Sequence, residues 1–391
     1  MKYVNELKGL LKHNIRDYGM YIALFVIMIT FTILTDGLFM SSRNISNLLD
    51  SAGYIAVLAV GVMLVIVIRH IDLSIGFLAG FLGAIAAILL MNYGLPVYIV
   101  IPIILALGVC AGSVTGFLVA RVGIPAFVAT LAGWLIYRGA ILLATEKTGT
   151  IIVDNDAFNA IGNGFIPSIA EVGGLHLLSL ILGVIGILFF IYSAISNRNN
   201  KLKYGFDVVS KPIFVLQLVF VSSIMAYITW LLAGYNGFSW TVIIIILVVL
   251  VYHFITTKTV IGRHIYAVGS NPEAAHLTGI SVSKITFLVF GSMGMLSALS
   301  GILFTARLQS ATTTAGTLFE LDAIAAAFVG GVSAAGGVGK VTGAVIGAIV
   351  MATLTNGMNL MGVGIAPQYM IRGGVLALAV IFDVMTRRQR A

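Results

Sequence analysis

Residues 54–91 read "YIAVLAVGVMLVIVIRHIDLSIGFLAGFLGAIAAILLM", and the three ionisable side chains apart from Tyr54, namely Arg69, His70 and Asp72, fall within four positions. The flanks on both sides carry no charge. A helix rises about 1.5 Å per residue and needs roughly 20 apolar residues to cross the hydrocarbon core of a bilayer. A water-facing helix would show a polar face recurring every three or four positions, and neither flank has one. The stretch therefore reads as two membrane segments, 54–68 and 72–91, joined at a polar break. The first is short enough for a re-entrant or partial crossing.

The whole chain follows this pattern. Its 391 residues are 60% hydrophobic and 9% charged, with a mean hydropathy of +1.09. Soluble domains are about half apolar and a quarter charged. With so little charge the chain cannot cover a globule in water, so it is an integral membrane protein, and long continuous apolar runs favour helices over a barrel. Apolar runs lie near 18–35, 54–68, 72–91, 97–120, 125–144, 175–195, 212–233, 238–256, 284–306, 318–333, 341–360 and 369–386. The expectation is an all-α polytopic membrane protein of about 10–12 transmembrane helices, some broken or re-entrant. The segments 54–68 and 318–333 are the candidates for partial crossings. Residues 1–391 form a single transmembrane domain. The run after residue 17 has no small-x-small cleavage site and reads as a first span.

Lys and Arg outnumber Asp and Glu, 22 against 14. No basic run of the kind that binds nucleic acid occurs, and orientation in the membrane explains the excess. Lys and Arg collect on the cytoplasmic side. With the N-terminus inside, the cytoplasmic set is Lys2, Lys8, Lys12, Arg16, Arg69, Arg121, Arg198, Lys201, Lys203, Lys211, Lys258, Arg263, Lys284, Lys340, Arg387, Arg388 and Arg390. Arg43, Lys147 and Arg307 fall outside, and Arg138 and Arg372 lie within spans. Both termini are then cytoplasmic, with 1–17, 196–211 and 257–284 as cytoplasmic segments. The acid-rich segment 145–174 is extracytoplasmic.

Catalytic constellations are missing from the sequence. The six histidines fall at no metal-ligand spacing, and neither a His-Glu-x-x-His pair nor a Gly-x-Ser-x-Gly elbow occurs. "GGVSAAGGVGKVTG" (330–343) fails as a phosphate loop, because Ala334 and Val341 stand where Gly and Ser/Thr are required. It reads as a tight turn between membrane segments. No metal or cofactor is expected. The lone Cys110 allows no intramolecular disulfide. Glycines four apart (76 and 80; 108, 112 and 116; 343 and 347) share a helix face and allow close backbone approach in lipid. A many-span protein without a catalytic set points to transport.

"GRHIYAVGSNPEAAHLTGISVSK" (262–284) is a polar stretch between apolar runs. Asn271 offers a helix cap, Pro272 a first helical residue, Glu273 a first-turn acid and Gly279 a stop. A helix of one or two turns with small alanines on its surface is expected to protrude into the cytoplasm, suited to docking in a partner's cleft.

Glu273, Ala274, Ala275 and Gly279 stand at the spacing Glu-Ala-Ala-x-x-x-Gly, which resembles the coupling motif of ABC importer permeases. "HIDLSIG" (70–76), "RVGIPAFVATLAGWLIYRGAILL" (121–143) and "ELDAIAAAFVGGVSAAGGVGKVTGAVIGAIVMATLTNGMNLMGV" (320–363) resemble segments of the monosaccharide permeases for ribose, xylose and galactose. The motifs lie in order across most of the chain. The extra spans around 175–256 resemble the xylose or multiple-monosaccharide subgroup. Two positions depart from the family pattern: Arg69, where a small or uncharged residue is usual, and Ser270, where glycine is common.

The resemblance implies an ABC importer permease fold in the bacterial plasma (inner) membrane. It also implies a separate ABC ATPase subunit on the cytoplasmic side, an extracytoplasmic sugar-binding protein and a second permease copy, expected as a homodimer. ATP hydrolysis belongs to the ATPase partner, and this chain passes a monosaccharide, a pentose such as xylose or several sugars. Permeases for nucleosides, branched-chain amino acids or a signalling sugar share the coupling loop.

A neutral, hydroxyl-rich cargo needs amides and hydroxyls along its path, and intramembrane polar residues are functional candidates. Thr353, Thr355, Asn356 and Asn359 are the path candidates, with hydrogen bonding between helices as the competing reading. Gln309, Thr312, Thr313 and Thr314 are candidates for the outer mouth. Asp72, Ser74 and Gly76 read as a capped restart after a helix break, with Arg69 within reach of Asp72 if the segment is helical. Arg138 awaits an acid that the sequence does not identify. An ion-coupled secondary transporter would need a mid-membrane carboxylate, and Asp72 is the one strong candidate.

Overall fold

The computed structural model describes residues 15–146, 148–206 and 208–388. Lys2, Lys8 and Lys12 of the basic N-terminal segment, Lys147 and Arg390 lie outside them. Nine helices among the described residues are long and apolar enough to cross a membrane, and two more, Gly19–Leu34 and Ile75–Met91, are apolar but shorter. The helices are α1 (Ile15–Leu34), α2 (Ser42–Val67), α3 (Ile75–Met91), α4 (Val97–Phe117), α5 (Ala126–Thr145), α6 (Asp156–Asn163), α7 (Leu177–Lys203) and α8 (Lys211–Ala233). Then come α9 (Trp240–Lys258), α10 (Val260–Ser270), α11 (Pro272–Leu277), α12 (Val282–Leu308), α13 (Phe319–Val329), α14 (Val341–Leu360) and α15 (Ile365–Arg388). Four short strands, β1 (Thr150–Ile152), β2 (Glu171–Val172), β3 (Leu175–His176) and β4 (Ser310–Thr312), pair as the ribbons β1–β4 and β2–β3.

Helix α2 is the centre of the molecule. The apolar run 54–68 is no partial crossing. The helix begins at Ser42, capped by the Ser41 hydroxyl that accepts from the Asn44 amide, and spans 26 residues. Its first turns hold Asn44, Asn47 and Asp50, polar residues whose partners lie on other helices, so they read as loop in the sequence yet fold as membrane helix. The 11-residue α13 rises only about 16 Å, too short to span a hydrocarbon core of about 30 Å. Another difference lies at 196–203, where α7 runs on to Lys203 and replaces half of the expected loop.

The spaced glycines are where helices meet. A Cβ on Gly112 would fall on the Phe290 carbonyl oxygen, and one on Gly294 would fall on the Gly108 carbonyl, so α4 and α12 touch backbone to backbone. Gly347 meets the Ala326 carbonyl in the same way, joining α14 to α13. Lipid offers no hydrophobic drive between apolar helices, so close packing of this kind holds them together. Helices α7 and α8 form a peripheral hairpin with Gly183 against Thr229. Many of its large apolar side chains, including Leu188, Phe189, Val219 and Phe220, are exposed.

The loops segregate to two ends. At one, Val67 accepts from the Gly337 amide (2.8 Å), Arg69 reaches the end of α10, and Tyr266 donates to the Gly339 carbonyl (2.7 Å). At the other, β1 pairs with β4, and α6 is tied to the end of α12 and the start of α9.

Candidate functional site

A cavity of about 150 Å³ lies among α2, α13, α14 and α15. Thr355, Asn356 and Asn359 line it, and so do Ser51 and Tyr54 from α2. Thr353 does not: it is 1% exposed and buried away from the lining, because on a helix of 3.6 residues per turn it turns off the face that carries Ala352, Thr355 and Asn359. Asn356 exchanges two hydrogen bonds with Asn44 (2.9 and 3.0 Å), and Asn359 accepts from Gln368 Nε2 (2.7 Å). The inter-helix bonding that competed with the path reading is thus present, on residues that also face the cavity.

The strongest feature of the cavity is an ion pair. Asp322 stands in the first turn of α13, where the helix dipole favours an acid. Both of its oxygens accept from Arg372 Nη1 at 2.8 Å, and the two side chains are 22% and 19% exposed. Arg372 also stacks over the Tyr369 ring, and its Nε is buried with no partner among the described residues. Opposite charges from helices 50 residues apart meet in the membrane because each would be costly alone. The sequence reading places Arg372 within a span but gives it no partner, and it does not single out Asp322.

The helix break is built as a turn. Arg69 takes the left-handed position after α2 (φ 66°), and His70 N–H returns to the Val65 carbonyl (3.0 Å), the geometry of a Schellman cap. Asp72 Oδ1 then accepts from the Ser74 amide (2.9 Å) and hydroxyl (2.6 Å), and α3 starts at Ile75. Arg69 does not pair with Asp72. Because the segment is a turn and not a helix, its guanidinium points away, to the carbonyls of Gly269 (2.6 Å) and Ser270. Gly76 packs against Glu320, whose Oε1 accepts from Trp134 Nε1 (3.1 Å) and whose Oε2 has no partner among the described residues.

Residues 259–279 form two helices. The sequence reading had only the second, although Ile265, Val268 and Gly269 form one buried face of α10. In α11 Asn271 Oδ1 accepts from the Ala274 amide (3.0 Å), Pro272 is the first residue, and Gly279 has φ 84°. Glu273 and Ala274 are exposed, but Ala275 is 4% exposed and faces the core. A two-turn helix lying on the protein must bury one side, and Ala275 is on it. The apolar residue left in the open is Leu277, 86% exposed. Beside α11 runs a groove of about 740 Å³, with His70 and His276 among its lining residues. Burial pushes the His70 imidazole below its ordinary value.

At the opposite end, Gln309 closes α12 in the left-handed conformation (φ 53°), and its carbonyl accepts from Val153 N–H. Gln309 and Thr314 are exposed, whereas Thr312 and Thr313 are half-buried. Arg138 meets no acid among the described residues. It donates to the Thr313 carbonyl (2.7 Å) and stacks over Phe77, since a carbonyl at a loop turn and a ring face satisfy a guanidinium without a second charge.

Arg307 donates to Asn163 Oδ1 (2.9 Å) and Asn47 Oδ1 (3.2 Å) and lies 3.9 Å from the buried Asp50 carboxylate, which also accepts from the Ser239 hydroxyl. Arg307→Ala removes the charge facing Asp50 and strands two amides. It is expected to cost about 3 kcal/mol of stability, read as a lower unfolding temperature in detergent. An unchanged temperature would show that the network adds nothing.

Residues 44–380 match the family described as the permease component of the branched-chain amino acid transport system. The chain belongs to this family and is a transport subunit, a multi-pass membrane permease of the ABC importer class. Among its relatives, the xylose transport system permease protein XylH of Escherichia coli K12 is 38% identical over 381 residues, covering 97% of this chain and 95% of that protein. XylH of Haemophilus influenzae is also 38% identical, over 96% of this chain and 98% of its own length. The ribose import permease protein RbsC of E. coli K12 is 33% identical, over 93% and 92%. No solved structure matches the chain.

Proposed function

We propose that the chain is the membrane subunit of an ABC importer that passes a monosaccharide, a pentose such as xylose, through the cavity lined by Asp322, Arg372, Thr355, Asn356 and Tyr54. The observation that carries this reading is the paired and hydrogen-bonding lining. A neutral polyol needs donors and acceptors with no net charge, and the ion pair offers both while cancelling its own field. The free Nε of Arg372 is a donor suited to a sugar hydroxyl. The 38% identity to two xylose permeases favours a pentose over an amino acid.

Ser51 and Asn359 line the same cavity and are exposed in the single chain, where they would otherwise face lipid tails. A second copy across this face, forming a homodimer around a central path, would cover them. The end carrying Arg69, Lys258, Arg263, Lys284 and Lys340 is cytoplasmic by the positive-inside rule, which puts both termini inside and the β1–β4 ribbon outside. Helix α11 then docks on an ABC ATPase through Glu273, Ala274 and the protruding Leu277. Gln309 and Thr314 face a sugar-binding protein. Asp72 serves the helix break, its carboxylate being occupied by Ser74.

The test is co-purification in mild detergent from the native membrane. An ATPase subunit should come with the wild-type chain, and Leu277→Asp should reduce its recovery at least about tenfold, because it replaces an apolar anchor at an interface with a charge. Absence of any ATPase under conditions that preserve other membrane complexes would remove the reading.

A further inference from the structure

Arg69 occupies a position at which its backbone is strained and its guanidinium is bound through two nitrogens. The left-handed site after a helix is usually glycine, because a Cβ is disfavoured there. Residues held in such conformations persist where the surroundings demand them, and they cluster at functional sites. Here the demand is visible: the guanidinium donates through Nε to the Gly269 carbonyl (2.6 Å) and through Nη2 to the Ser270 carbonyl. Gly269 and Ser270 are the last two residues of α10, and Asn271, the cap of α11, follows directly. The carbonyls at a helix C-terminus have no partners within the helix and carry partial negative charge, so a cation satisfies them especially well. Backbone contact doubles the link. The Val67 carbonyl accepts from Gly337 N–H (2.8 Å), and Gly336 and Gly269 pack so closely on Val67 and Arg69 that neither has room for a side chain.

Val67 ends α2, the helix that brings Ser51 and Tyr54 to the cavity. From Ser51 to Val67 an unbroken helix covers about 24 Å. We propose that Arg69 is a positioning residue that fastens the docking segment 271–279 to α2, so that displacement of α11 by a closing ATPase moves α2 at the cavity. This rests on the reading of α11 as the ATPase contact. The clamp makes α2 and the end of α10 one rigid body, and a force applied at α11 reaches the cavity through it.

Arg69→Gly separates this role from folding, because glycine suits the left-handed backbone while removing the side chain that makes the clamp. The complete transporter, with its ATPase and binding protein, would be reconstituted in liposomes with the wild-type chain, Arg69→Gly and Arg69→Lys. Xylose uptake, ATP hydrolysis and unfolding temperature would be measured on each. Arg69→Gly is expected to keep the ATPase bound, to unfold at the wild-type temperature or above, and to hydrolyse ATP within about twofold of wild type, while xylose moved per ATP falls about tenfold. Arg69→Lys, a point charge that cannot bridge both carbonyls as a fork does, is expected to fall between. An unchanged ratio of xylose to ATP in Arg69→Gly would overturn the proposal, as would proportional loss of uptake and hydrolysis. If the wild-type chain binds no ATPase, the reading of α11 fails instead, and that outcome is seen before any variant is compared.

Discussion

Asp322→Asn is expected to lower uptake by about a hundredfold, and Arg372→Gln by a similar factor. Each leaves its former partner charged in a cavity between membrane helices; breaking a fully buried pair from one side costs about 3–5 kcal/mol, and this half-buried pair takes the lower end. If about 3 kcal/mol of that loss appears in the barrier to passage, the rate falls roughly 150-fold. Part of the effect will be structural, since the pair joins α13 to α15. The double variant Asp322→Asn/Arg372→Gln distinguishes the two. Two neutral amides fill a similar volume and can bond to each other, so the double variant should recover most of the unfolding temperature that the single variants lose. It should not recover uptake, because the charged fork that faces the cargo is gone. Interaction energies from this cycle report the pair directly. Recovery of both stability and uptake would make the pair a purely structural staple, and the cavity would lose its claim to be the path.

The second large effect is at Gly294. An added Cβ would fall on the Gly108 carbonyl oxygen and within 2.8 Å of the Gly112 backbone. These are main-chain atoms of a packed helix and cannot rotate away, so α4 and α12 would have to separate along their length. Gly294→Ala is expected to cost about 3 kcal/mol, the upper end of overpacking effects. Gly294→Leu should abolish accumulation of folded protein in the membrane. Gly139 is the control, because nothing lies within 4 Å of where its Cβ would be. Gly139→Ala should be neutral or stabilise by about 0.5–1 kcal/mol, since alanine loses less entropy in a helix. Membrane yield and unfolding temperature check all three. Equal tolerance at the two glycines would show that the α4–α12 contact has slack.

Much of the architecture was legible because membrane crossing is a one-dimensional requirement. Span length and charge can be counted along the chain, and so can a cap such as Asn271 with its Pro272 and Gly279. Spaced glycines announced close packing at α4, although not which helix they would meet. The shortness of 318–333 was visible because Gly330 and Gly331 interrupt the run.

What escaped the sequence involves partners far apart in the chain. Asn44 bonds to Asn356, Arg307 faces Asp50, and Arg372 meets Asp322. Polar residues satisfied across helices look like loop until the partner is known, which is why the first turns of α2 were missed. Arg69 and Ser270 were linked by nothing in the sequence beyond both departing from a family pattern, and folding puts the guanidinium of one on the carbonyl of the other. Ala275 read as surface because α11 is polar around it, but a short helix lying on a protein hides one side.

The sequence by itself determined that the chain lives in a bilayer and that it does so through many long apolar helices. Hydrophobic length and fixed charge act on each segment independently of the others. Only the tertiary structure decided which polar residues face a cavity, which serve as cross-helix bonds, and how the end of α2 is fastened to the docking segment. Those outcomes depend on the mutual rotation of packed helices, and no single helix contains that information.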